Sequence, residues 1–141
     1  MNVRSFKDKD SAAILFYSAD IGHYIADACV PLHTTLNYDG QFTNQKGLHS
    51  FWESRLPELF ADDYNYWVGK AEYIDNPLKE SFNLLKGSFV ALDSVLIFER
   101  ELNAKFDPEK KYSYEQKGKK NVQVYSEAYS KAYHDALDGM V

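Results

Sequence analysis

The chain has a single cysteine among 141 residues, Cys29, so no intrachain disulfide can form. In the string Ala26-Asp27-Ala28-Cys29-Val30, on an expected helix and with no cationic neighbour, this thiol is predicted to be buried and inert. Positive charge is also scarce. Sixteen Lys and Arg stand against 21 Asp and Glu, a formal net charge of −5, which removes the broad basic face that duplex nucleic acid requires. Metal cations can still hold an anionic substrate locally. No stretch approaches the roughly 18 consecutive apolar residues of a bilayer span, and the first ten residues lack the apolar core of a signal peptide. An integral membrane protein is therefore not expected.

Several catalytic signatures are missing as well. There is no glycine-rich phosphate loop, no Gly-x-Ser-x-Gly elbow, no His-Glu-x-x-His and no Glu-x-x-His repeat. The 45% hydrophobic content, with 16% aromatic residues and eleven tyrosines, nonetheless belongs to a folded globule. Residues 1–141 read as one domain, large enough to bury a core without a structural metal.

Periodicity predicts an all-α bundle of about five helices. The first runs from Asp10 to Cys29, capped by Asp8 or Asp10, with Ile14, Ile21, Ile25 and Ala28 on one stripe. Pro31 ends it and turns His33 back beside the helix terminus. A polar loop over 34–45 leads to a second helix near Lys46 or Gly47, carrying Leu48, His49, Phe51, Trp52, Glu53 and Leu56, with Phe51 and Trp52 read as core. A short helix is expected over 58–66. Leu78, Phe82, Leu85, Phe89, Leu92 and Leu96 then define one long amphipathic helix from Pro77 to about Phe106, with a bend at Gly87. Residues 107–120 read as a charged connection, and a last helix is expected from Asn121 to Asp138, ending at Gly139. No strand is predicted.

The chemistry concentrates in five residues: His23, Asp27, His33, His49 and Glu53. His23 with Asp27, and His49 with Glu53, are each four apart, a spacing that projects both side chains from one helix face. Asp27 sits between two alanines, and burying a carboxylate without a partner costs several kcal/mol. Either pair alone is commonly a helix-surface contact. Two pairs with His33 just past a helix-stopping proline give three imidazoles and two carboxylates, the nitrogen and oxygen donor set of zinc. His134 is left as a packing or surface histidine. Asp20, three before His23, is a candidate to orient that ring.

These strings resemble the zinc-dependent phospholipase C enzymes of bacteria and the related single-strand-specific nucleases of fungi and plants. The matching pattern is His23, Asp27, then Pro31-Leu32-His33, then Leu48-His49-Ser50-Phe51-Trp52-Glu53, covering about residues 16–60. The resemblance implies that His33, His49 and Glu53 hold one zinc. It assigns His23 and Asp27 to a second, with Asp27 bridging towards a third and helping to position the attacking water. Glu53, where the nucleases usually carry Asp, resembles the phospholipase branch. The implied function is hydrolysis of a phosphodiester, in a phospholipid or in single-stranded nucleic acid, by a secreted or periplasmic protein. The family's amino-terminal Trp and its upstream His and Asp ligands have no counterpart before His23. The chain is accordingly expected to represent the carboxyl-terminal part of a longer enzyme. The alternative is a catalytically incomplete helical module that binds metal or serves structurally.

Overall fold

The computed structural model describes residues 3–137. Helix α1 (Val3–Lys7) leads into α2 (Ser11–Ala28), whose N-cap Asp10 accepts from the Ala13 N–H at 3.0 Å. The end of α2 follows from Pro31: the N–H groups of Cys29 and Val30 return to Ala26 and Asp27, and the chain enters a 3-10 turn, Pro31–Thr34. A loop then reaches α3 (Leu48–Ser50). This helix passes through a π-helical turn, Phe51–Arg55, into α4 (Leu56–Phe60) and a closing 3-10 turn, Ala61–Asp63. Pro57, at the first turn of α4, sits where a missing N–H is least costly. The expected helix over 58–66 gives way to extended chain from Tyr64.

After that irregular segment, Asn76 caps α5 (Pro77–Lys105) by accepting from Lys79 N–H at 3.0 Å. The predicted long helix is thus present, and it runs unbroken through Gly87.

The all-α expectation is wrong. Strands β1 (Tyr112–Lys117) and β2 (Lys120–Tyr125) pair antiparallel, with Lys117 opposite Lys120. Two residues join them, and the first, Gly118, adopts φ +63°, the conformation that short hairpin turns reserve for glycine. The fold is therefore mostly helical with a β-hairpin. Helix α6 (Glu127–Ala136) begins six residues later than expected, at the N-cap Ser126, and the predicted stop at Asp138 and Gly139 lies outside the described residues.

The core is built from Leu32 of the first 3-10 turn, Leu48, Phe51 and Leu56 of the α3–α4 run, Leu92 and Val95 of α5, and Tyr129, Tyr133 and Leu137 at the carboxyl end. Phe51 stacks on Tyr125, Tyr129 and Tyr133 at centroid distances of 4.0, 5.8 and 5.1 Å. Arg55 fastens the hairpin to this core. Its Nε donates to Tyr125 O at 3.1 Å and its guanidinium forks onto the Glu115 carboxylate. Buried Glu99 of α5 accepts from Tyr129 Oη and Lys111 Nζ. Burial first, and then the Glu99 contact, push the Tyr129 hydroxyl far above the ordinary phenol range, so it remains a donor.

Only the second half of α5 enters this core. Phe82 and Phe89, expected to be buried, are largely exposed, and α2 buries no residue fully. Cys29 is exposed too, because it falls at the last turn of a helix whose outer face nothing covers. An 18-residue window of α5 reaches a mean hydropathy of 1.4 with 17% of it buried, long and apolar enough by composition to cross a membrane, against the expectation that no such window exists. In the second half that character is explained by the core.

Candidate metal centre

Two local devices place the donors. Pro31 stops α2 and starts the 3-10 turn that carries His33, while α3 and the π turn carry His49 and Glu53. The loop between them is fixed by its own side chains. Asn37 Nδ2 donates to Thr43 Oγ1 at 3.0 Å, and Asn37 Oδ1 accepts from Phe42 N–H at 2.8 Å. Asp39 Oδ1 accepts from the N–H groups of Gly47 and His49. Gly40, at φ +70°, lies so close to Gln45 that a Cβ would stand 2.4 Å from its carbonyl oxygen. Gln45 Nε2 in turn donates to Leu96 O at 2.8 Å, which ties the loop to α5.

His33, His49 and Glu53 converge. Glu53 Oε1 lies 3.1 Å from Nε2 of each histidine, and the two Nε2 atoms are 3.4 Å apart on rings stacked at 5.0 Å. The tautomers follow from the other ring nitrogens. His49 Nδ1 meets Tyr38 O at 3.2 Å, so it carries the proton and leaves the Nε2 lone pair pointing inward. His33 Nδ1 faces Asp27 Oδ1 at 3.8 Å, which favours the same tautomer. Glu53 Oε1 is buried and has no hydrogen-bond donor among the described residues. Three lone-pair donors thus point at one another, an arrangement that repels unless a cation sits between them.

The spacing fits zinc. Nitrogen and oxygen ligands about 2.0–2.1 Å from a tetrahedral zinc stand roughly 3.3–3.4 Å apart, and the three separations here fall at or just under that value. The side chains are 29%, 28% and 29% exposed, so the fourth position opens towards solvent.

The other two expected ligands form a neighbouring pair. His23 Nε2 lies 3.4 Å from Asp27 Oδ2, and His23 is 70% exposed. Asp27 therefore stands between His23 and His33, joining the pair to the triad. Asp20 is exposed on the same helix and makes no close contact with His23 among those described; the neighbours of His23 are Asp27 and Tyr24. His134 packs between Phe60 and Tyr64. The features that sequence reasoning did not reach are the Tyr38 carbonyl, the Asp39 carboxylate and Gln45, which orient the donors without ligating. Asn37, Asp39 and Gly40 did signal a turn.

Compared with known proteins, the chain matches no family model, no curated protein and no solved structure.

Proposed function

We propose that this chain is a zinc-dependent phosphoric ester hydrolase of the phospholipase C and single-strand nuclease type. One observation carries the reading: the inward lone pairs of His33, His49 and Glu53 at tetrahedral ligand separations, with an exposed fourth position. A zinc ion held there supplies a Lewis acid for a phosphoryl oxygen and a bound water of lowered pKa. With one carboxylate among three donors the centre keeps a net positive charge, which a phosphodiester complements in an otherwise acidic chain. Asp27 holds its carboxylate at the rim between His23 and His33, where it orients His33 and accepts a proton from attacking water. The resemblance of residues 16–60 to the phospholipase C and nuclease pattern supports the same chemistry.

The test is zinc-reconstituted full chain assayed on phosphatidylcholine and on single-stranded DNA. Hydrolysis of either, abolished by Glu53→Gln, is expected. Stoichiometric zinc with hydrolysis of neither defeats the hydrolase reading and leaves a metal-binding module, which the two-donor His23–Asp27 pair favours as the second reading.

A further inference from the structure

Beside the metal centre the protein holds large apolar side chains out in water, and it does so with ordered structure. In the loop between His33 and His49, Leu36 is 86% and Phe42 74% exposed. The polar groups of this loop are turned onto one another: Gln41 Nε2 donates to Leu36 O at 2.7 Å, and Phe42 N–H to Asn37 Oδ1. One foot of the loop is Thr34, which lines an open groove of about 560 Å³ with Phe82, Leu85, Lys86, Phe89 and Val90 of α5. The other foot is Gln45, bonded to Leu96 further along the same helix.

We propose that this rim, the loop tips Leu36 and Phe42 together with the α5 groove, is a docking surface for a zwitterionic lipid bilayer, the groove taking an acyl chain. Contiguous exposed apolar surface of this kind marks an interaction site. The groove carries one charge, Lys86, whose stem can lie along apolar surface while its ammonium reaches a lipid phosphate. A single cation is too little for a nucleic-acid strand, and a net charge of −5 disfavours an anionic membrane, which leaves a zwitterionic surface as the complementary one. The inference rests on the hydrolase reading for the fate of the lipid, and within it favours phospholipid over nucleic acid as substrate. Docking itself needs no metal.

The experiment is co-sedimentation of the full chain with phosphatidylcholine vesicles. The Leu36→Ser/Phe42→Ser and Phe89→Ser/Val90→Ser variants are each expected to bind about tenfold more weakly or worse, with unchanged circular dichroism. Glu53→Gln is expected to bind like the parent chain, so lost hydrolysis with retained docking separates failure of the hydrolase reading from failure of this one. No vesicle binding by the parent chain overturns the proposal. So does equal binding by both double variants, tighter binding to oligothymidylate than to vesicles, or a dimer in sedimentation velocity that both double variants dissociate.

Discussion

Gln45 Nε2 donates to Glu99 Oε2 at 2.7 Å across 54 positions of sequence, joining the loop that spaces the metal donors to the buried carboxylate of the core. Glu99 also receives Tyr129 and Lys111, so its removal orphans three donors at once. Glu99→Ala is expected to cost about 3–5 kcal/mol, a fall in melting temperature of roughly 10 °C or more by differential scanning calorimetry. It is also expected to weaken zinc binding, because the loop loses a foot. Glu99→Gln keeps the shape and is expected to cost less.

Zinc content is expected to be about one ion per chain at the triad. His33→Ala, His49→Ala and Glu53→Gln should each weaken it by about 100-fold or more by titration calorimetry, since even residues that merely orient ligands are worth about 10–100-fold. His23→Ala should leave this ion in place. Chelation should lower the melting temperature, because free zinc at about 100 times its Kd stabilises the native state by about 2.7 kcal/mol.

Glycines 40 and 22 should respond oppositely to alanine. Gly40→Ala adds a Cβ against the Gln45 carbonyl at a left-handed φ, so a loss of at least about 1–2 kcal/mol is expected, with weaker zinc binding. Gly22 lies within α2 with nothing within 4 Å of an added Cβ, and Gly22→Ala should stabilise by about 0.5–1 kcal/mol in chemical denaturation.

Glu58 gives the hairpin contact a pH dependence. The hydrogen bond from Lys117 leads the effects that hold its carboxyl below the ordinary 4.5, with Arg55 assisting against partial burial. A carboxyl depressed in the folded state contributes stability that is fully present above the unfolded value, and that contribution disappears as pH falls through the folded one. Stability is therefore expected to decline below about pH 4.5, the ordinary carboxyl value, with a shallower decline in Lys117→Met, checked by urea unfolding at stepped pH.

The long helix and the donor-bearing turns were legible in the chain because their signals are local: Asp10 and Asn76 as caps, Pro31 as a stop, Pro77 as a start. The i,i+4 spacing of His49 and Glu53 and the reversal at Pro31 likewise anticipate that His33 meets them. The hairpin was missed because Val122, Tyr125 and Tyr129 satisfy a helical spacing as well as a strand that leads into a helix, and β1 and β2 are too exposed to show a buried alternation. The exposure of Phe82 and Phe89 was missed for another reason. Periodicity identifies an apolar face, but what covers that face is decided by the tertiary arrangement.

The π turn from Phe51 to Arg55 has one further effect. A π turn closes with one more residue than an α turn, and here the Leu56 N–H reaches back to Phe51 O. That surplus residue offsets the rotational phase of everything after it by about 100° relative to an uninterrupted α-helix. It lets a short rod send Glu53 to the donors, Arg55 to the hairpin and Leu56 to the interior. A one-residue deletion here would re-aim all three, whereas a deletion in the exposed Tyr64–Asn76 stretch would leave their bearings intact.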